Sequence, residues 1–287
     1  MAVIRVVSYN IHKGRTATGK RESMDALKLG LYGLSPDLLF LQEVQGRNEL
    51  RATLNAQHEL LAAVLRMHNC YGCNAVRQYT DHGNALLSRF PILYYENEDI
   101  SDHRLEQRGL LHAVVQIEDR HVHCLVVHLG LFSGGRTRQI NALVDRINRI
   151  VPEDEPLLIA GDFNDWNNRL APIFVKQLGL YEVFSFAPEM YASSRFKLRK
   201  PTKWLSGSRD QIDQPVDDSV AVMPELGIDG NARLTPPPKT FPAVFPFLRL
   251  DRIYQRGFAV RSAKVLNGMP WRQISDHSPI LTELELP

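Results

Sequence analysis

Leu157 to Ala160 run as an unbroken apolar stretch into Gly161, and Asp162, Asn164 and Asp165 follow at once. A short continuous apolar run is the mark of a strand buried on both faces. Its polar end must then open into a polar mouth, because carboxylates and amides are not buried unpaired. Three other strand-like runs end in the same way, at Tyr9-Asn10, Gln42-Glu43 and Val127-His128, and a fifth polar cluster, Ser275-Asp276-His277-Ser278, lies near the C-terminus. Polar residues at the tips of apolar strands, spread over the whole chain, predict one shared site.

The elements between these tips alternate. Val3–Tyr9 and Asp37–Glu43 read as strands. Between them Met24, Leu27, Leu31 and Leu34 keep helical spacing up to Ser35-Pro36, where proline disfavours the α conformation of its predecessor. Leu50, Leu54, Leu61 and Leu65 predict a second helix. Gly83–Ile92 reads as a strand stopped by Pro91. His112–Ile117 and Val122–His128 read as a hairpin turning at Glu118-Asp119-Arg120. Ile140 to Val151 predicts an amphipathic helix ended by Pro152. After Leu157–Asp162, a helix is expected around Leu170, Ile173, Phe174 and Leu178. Leu248–Tyr254, Ala259–Val265 and Ile280–Leu284 complete the strands. Such alternation predicts a mixed sheet structure with helices outside.

Phe186–Lys239 does not fit this pattern. It holds scattered prolines and a Pro236-Pro237-Pro238 run, with a basic half, Arg195–Arg209, and an acidic half, Asp210–Asp229. The basic half carries six Lys/Arg and no acid, with Phe196 and Trp204 interleaved. Two readings fit: a solvated surface insertion, which its length favours, or a substrate-facing loop with phosphate-binding cations and stacking aromatics. The chain is expected to be one domain, 1–287, carrying this insertion at about 186–239.

Composition excludes little. The formal net charge of +2 allows a nucleic-acid partner without demanding one. No apolar run reaches the about 20 residues that cross a membrane, and Ile4 enters a strand without a signal-peptide pattern, so a soluble, cytoplasmic, monomeric protein is expected. Cys70 and Cys73 form a lone C-x-x-C that lacks the second Cys/His pair of a zinc site, and Cys124 lies in an apolar run; neither is expected to act.

The polar tips offer hard oxygen donors: Glu43, Asp162, Asp165, Asp251 and Asp276 as carboxylates, Asn10 and Asn164 as amides. Such a set suits Mg²⁺, with Mn²⁺ as substitute, better than zinc. His128 and His277 are placed to donate to phosphate oxygens or move a proton, and Asp251 is the natural partner to orient His277. Metal-assisted phosphoester hydrolysis is the leading chemistry. Asp165 reads as a helix cap instead.

The ordered set Ser8-Tyr9-Asn10-Ile11-His12, Gln42-Glu43-Val44, Gly83-Asn84-Ala85-Leu86-Leu87-Ser88-Arg89, His128-Leu129, Gly161-Asp162-Phe163-Asn164, Leu250-Asp251-Arg252 and Ser275-Asp276-His277-Ser278-Pro279 resembles the endonuclease/exonuclease/phosphatase (DNase-I-like) superfamily. It looks most like a small bacterial branch that opens with Ser-Tyr-Asn-Ile-His-Lys-Gly. The resemblance runs from about Val3 to Leu284 and breaks across the insertion. It implies a four-layer α/β/β/α sandwich of two mixed sheets flanked by helices, with the site at one end of the sheets. It also implies Glu43 as main metal ligand, assisted by Asn10 and Asp276. Asp162 would activate or orient the attacking water and Asn164 position the phosphate, with His128 and His277 contacting it and Asp251 holding His277. Asn84, Arg89, Arg108 and Thr240 are expected to contact substrate.

The abasic-site DNA endonuclease branch reads Gln-Glu-Thr-Lys where this chain has Gln42-Glu43-Val44-Gln45, and places tyrosine where His128 stands. These departures tilt the expectation toward nuclease, phosphodiesterase or phosphatase action on nucleic acid, a phospholipid-type headgroup or a small phosphodiester. The alternative is a catalytically silent module that binds a phosphate ligand or nucleic acid on the same fold.

Overall fold

The computed structural model describes residues 2–49, 56–103, 106–167, 169–185 and 237–287. In chain order the elements are β1 (Ala2–Asn10), α1 (Met24–Leu34), β2 (Leu38–Asn48), α2 (Gln57–Leu65), β3 (His68–Val76), β4 (Thr80–Ser88), β5 (Ile92–Asp99), β6 (Gly109–Ile117), β7 (Arg120–His128) and α3 (Ser133–Ile150). They continue with β8 (Leu157–Asp162), α4 (Ala171–Leu178), β9 (Tyr181–Glu182), β10 (Asp251–Arg256), β11 (Ala259–Val265), α5 (Trp271–Ile274) and β12 (Ile280–Leu286).

Among the described residues two six-stranded sheets form, ordered β11-β12-β1-β2-β4-β3 and β5-β6-β7-β8-β10-β9. Each has one parallel pair at its middle, β1 with β2 and β7 with β8, and every other pairing is antiparallel. A parallel pair needs a crossover, and α1 and α3 supply the two crossovers.

Side-chain alternation along the strands distributes the core into layers. Ile4, Val6, Leu38, Phe40 and Leu86 meet Leu111, Ala113, Cys124, Val126, Leu158 and Ala160 between the sheets. The intervening residues Val7, Tyr9, Leu39, Leu41, Ala85 and Leu87 pack against Leu27 and Leu31 of α1, Leu61 of α2 and Trp271 and Ile274 of α5. On the other sheet Leu125, Val127, Leu157 and Ile159 pack against Ile140, Leu143 and Ile147 of α3 and Phe174 of α4. The molecule is therefore the α/β/β/α sandwich expected. None of its helices among the described residues is long and apolar enough to cross a membrane.

Several boundaries differ from the sequence reading. The run Gly83–Ile92 is split: β4 ends at Ser88, and Ile92 after Pro91 opens β5 in the opposite sheet. The second helix begins at Gln57, and Leu50 and Leu54 lie outside the described residues. So does the basic stretch Arg195–Arg209. Helix α1 ends where proline predicted, with Ser35 in the left-handed conformation and its N–H bonded to the carbonyls of Leu31 and Tyr32. Cys70 and Cys73 sit three apart on β3, which turns them to opposite faces, one buried and one exposed. That geometry denies the pair a common ligand.

Beneath α3 lies a buried polar chain. His112 Nε2 and His123 Nδ1 are 2.8 Å apart, and His123 Nε2 is 2.5 Å from Glu155 Oε2. Burial lowers the His112 pKa to about 3, with the neighbouring His123 and Arg146 adding to the effect, and burial lowers His123 as well, against the pull of Glu155. A histidine depressed in the folded state binds its proton more readily when unfolded. Its stabilising contribution is present above the ordinary imidazole range and is lost as pH falls toward the folded value. The unfolding free energy should therefore drop between about pH 6.5 and 4, and His112→Gln should make that slope shallower in chemical denaturation across the range. An unchanged slope would remove His112 from the account.

Candidate active site

The two parallel pairs place their carboxyl ends on the same side of the sandwich, and ligand sites in open α/β sheets form outside such ends. β1 delivers Asn10, β2 Gln42 and Glu43, β7 His128 and β8 Asp162. Asn10 pairs in register with Gln42, His128 with Asp162, and Asp162 with Asp251 at the start of antiparallel β10. β12 runs antiparallel to β1, so the residues just before it, Asp276 and His277, reach the same end.

Glycine at 161 makes this delivery possible. Its φ is +153°, and a Cβ there would lie 1.9 Å from the Val127 carbonyl oxygen on the neighbouring strand. The side chain that follows, Asp162, becomes the hub. Its Oδ2 accepts a hydrogen bond from Asn10 Nδ2 at 3.3 Å and lies 3.5 Å from His128 Nε2 and 3.6 Å from His277 Nε2. Its Oδ1 accepts the backbone N–H of Asn164 at 3.0 Å. His277 Nδ1 is 2.9 Å from Asp251 Oδ2, the pairing that sequence order anticipated.

Asp162 and Asp251 are both buried, and two adjacent buried carboxylates repel unless a cation lies between them. The imidazole of His277 fills that place. Burial alone would depress its pKa, but Asp251 and Asp162 outweigh burial and raise it to about 10. His128 goes the other way. Burial, reinforced by Arg108, lowers it to about 4 despite Asp162 and Glu43, so it is neutral near pH 7. One imidazole is thus held charged and the other uncharged, within reach of the same carboxylate.

Glu43 stands at a bulge in β2, where the pairing with β4 slips between Leu41 and Val44, and its φ is +53°. Burial opposes its ionisation, yet His128 and Lys13 together bring its pKa down to about 2. Lys13 Nζ forms an ion pair with Glu43 Oε2, and His12 Nδ1 is 3.6 Å from Asp276 Oδ1. Asn10 Oδ1 accepts the backbone N–H of His12 at 3.1 Å, and Ser275 Oγ donates to the Asn10 carbonyl at 2.7 Å.

One compact group of possible metal ligands lies among the described residues, and the oxygen donors expected from the sequence are a separate set. Asp162, Asp251 and His277 have ligand atoms within 4.8 Å of one another, but the protonated imidazole already holds both carboxylates and has no lone pair to give. Glu43, Asp276 and Asn10 are hard oxygen donors, and the two carboxylates are partly open to solvent, a set that fits Mg²⁺ or Mn²⁺.

Not every expected site residue arrives. Arg89 lies at the opposite end of the sheet: it follows Ser88, which pairs with Leu38 at the start of β2, and its Nε is 3.4 Å from Asp37. Asn84 is level with the mouth but fully buried, its amide donating across the cleft to the carbonyls of Gly109 and Val126 at 2.9 and 3.3 Å. Thr240 is fully buried too, its hydroxyl accepting the N–H groups of Leu250 and Asp251 at 3.4 and 3.3 Å. The contacts these three side chains make are with the protein's own frame. The Asn164 amide is committed to the Leu129 carbonyl at 2.8 Å, which fixes the backbone beside His128. Arg108 does reach the mouth, held by the Leu129 carbonyl at 3.2 Å and by Glu106 at 3.2 Å. Asp165 accepts the Leu170 N–H at 2.9 Å, bracing the turn before α4, whose N-cap is Leu170 and not Asp165 as the sequence reading expected.

Comparison with known proteins agrees with this fold. The chain matches the endonuclease/exonuclease/phosphatase family over residues 7–277. It belongs to that family. Escherichia coli K12 YbhP, described as uncharacterized, is 33% identical over 98% of this chain and 96% of its own length. Among solved structures, an endonuclease/exonuclease/phosphatase from Beutenbergia cavernae superposes with a TM-score of 0.68 at 17% identity, covering 100% of this chain and 72% of the other. D. rerio TDP2 complexed with a single-strand DNA product gives a TM-score of 0.64 at 15% identity, covering 99% of this chain and 100% of the other. The family includes nucleases, phosphodiesterases and phosphatases and typically uses divalent metals.

Sequence reasoning gave no individual role to Arg252, Ser275, His12 or Lys13. Arg252 is buried, donating to the carbonyls of Asp251 and Asp165 at 2.9 and 3.0 Å. A guanidinium directly after a site carboxylate at the start of a strand was the available signal.

The charge sorting at His277 is testable in the metal-free protein. With its pKa raised, the imidazole stays protonated through neutral pH and loses its proton only as pH climbs toward about 10. Asp251→Asn removes one of the two carboxylates that hold it charged. NMR of the ring C–H should then show His277 titrating at least one unit lower than in the wild type. Identical titration in the two proteins would contradict the assignment.

Proposed function

We propose that this protein is a divalent-metal-dependent phosphoester hydrolase acting through a water oriented by Asp162. The observation that supports this reading best is the convergence of Asn10, His128 and His277 on the Asp162 carboxylate, with Asp251 behind His277.

Glu43, with Asp276 and Asn10, would hold Mg²⁺ or Mn²⁺, which when bound would polarise the phosphoryl oxygen and lower the pKa of a bound water. The chain's own residues then have separable tasks. A protonated imidazole donates but does not accept, so the base role falls to Asp162, and His277 offsets the charge that Asp162 and the phosphate share. His128, neutral near pH 7, is suited to donate a hydrogen bond to a phosphate oxygen. Asn10 fixes the orientation of Asp162, and Asn164 fixes the loop after His128. Arg108 at the mouth adds positive charge for an anionic substrate.

The reading favours a phosphodiester, from nucleic acid or a phospholipid-type headgroup, over an abasic DNA site, because Val44-Gln45 and His128 stand where the abasic-site branch carries other residues. Hydrolysis of a generic phosphodiester such as bis(p-nitrophenyl) phosphate should require Mg²⁺ or Mn²⁺ and vanish with EDTA. Glu43→Ala and His277→Ala should each reduce kcat by about 10²-fold or more without loss of fold. Activity untouched by both substitutions would sink the assignment. A panel of abasic duplex, intact DNA, RNA, phospholipid and phosphomonoester then sorts the substrate, and equal turnover of abasic and intact DNA would exclude a dedicated repair role.

A further inference from the structure

The loop between β1 and α1 places two cation-forming side chains on two carboxylates. Lys13 pairs with Glu43 and His12 faces Asp276. The loop has little freedom to do otherwise. His12 and Lys13 both have left-handed backbones, with φ of 47° and 57°. The His12 N–H is bonded to Asn10 Oδ1, the Lys13 carbonyl accepts Gln57 Nε2 at 2.8 Å, and the Gly14 N–H is bonded to the Ile11 carbonyl at 2.8 Å. Gly14 has a φ of +65°, a backbone that any other residue would adopt only under strain, and a Cβ there would also press on the Met24 and Gln57 side chains. Lys13 also borders a cavity of about 620 Å³ whose lining mixes Arg15, Lys20 and Lys28 with Glu22 and Asp25.

We propose that Lys13 is a placeholder cation. Its ammonium holds the Glu43 carboxylate in place before metal arrives, and it competes with the metal for that carboxylate. Glu43 is partly buried, and two positive charges cannot share its oxygens there without mutual repulsion. Metal entry therefore displaces the ammonium, and the adjoining cavity gives it room to leave. The proposal rests on the reading of Glu43 as a metal ligand. It adds that this chain weakens its own metal affinity through a residue that ligates nothing.

Isothermal titration of the full chain with Mn²⁺ alone tests it, comparing wild type, Lys13→Gln, Lys13→Arg, Glu43→Gln and the double variant Lys13→Gln/Glu43→Gln. Thermal melts confirm that each variant folds. Lys13→Gln should bind Mn²⁺ about tenfold tighter than wild type, and Lys13→Arg should stay near wild type. In the Glu43→Gln background the gain should disappear, because the carboxylate contested by the two cations is gone. If Glu43→Gln weakens Mn²⁺ binding but Lys13→Gln binds no tighter than wild type, the placeholder role is overturned and the metal site stands. If Glu43→Gln leaves binding unchanged, the ligand assignment fails and the inference falls with it.

Discussion

Parallel pairing of β1 with β2 and of β7 with β8 is the constraint on which the rest of the structure depends. Parallel neighbours point their carboxyl ends the same way, and stacking the two sheets through the layer of Ile4, Val6, Phe40, Val126 and Ala160 sets those ends beside each other. Backbone groups at a strand's end have no further ladder partners, so this is where polar side chains are tolerated and solvent enters. The antiparallel partners β10 and β12 start at the same end and add Asp251 and His277. Four strands from two sheets and the start of two more thus supply one site without any single loop having to build it.

The electrostatics of that site depend on unequal burial being answered by unequal partners. His128 and His277 are both buried, and burial pushes both toward the neutral form. His277 has a carboxylate at each ring nitrogen, whereas His128 has Arg108 beside it as well as carboxylates, and that difference separates the two imidazoles in charge. A buried ion pair stabilises little on balance, since desolvation consumes most of the attraction. Its value here is orientation: Asp251 fixes the Nδ1 edge, and the Nε2 edge is thereby aimed at Asp162. Thr240 and Arg252 extend the same logic one shell outward, bonding the backbone of Asp251 on both sides of its Cα.

What was legible in the sequence follows burial. β1, β2, β7 and β8 are central strands covered on both faces, and their continuous apolar runs announce them. β3, β5 and β9 went unread, and all three are edge strands, with β5 exposed along most of its length and β9 only two residues long. Edge strands carry little apolar pattern because one side faces water. At the site, residue types that serve chemistry were visible, as in the pairing of His277 with Asp251. Residues that serve position were not, because their partners are backbone atoms distant in sequence. Asn84 and Thr240 are bonded to backbone groups distant in sequence, and Arg89, five residues after Asn84, lies at the far end because the second half of β4 carries the chain away from the mouth.

The residues with positive φ that are not glycine show a further pattern. Ser35 and Arg66 end helices and Glu118 turns a hairpin, where such backbones are ordinary, but His12, Lys13, Glu43 and Asn164 all lie at the site. Holding a residue other than glycine or asparagine in this region costs on the order of 1 kcal/mol each. A sequence chosen only to suit this backbone would place glycine or asparagine at the first three positions. Stability-guided redesign or consensus averaging toward the relaxed choice would erase His12, Lys13 and Glu43 while improving the fold. The protein's thermal margin and its chemistry are set against each other at the same few peptide units.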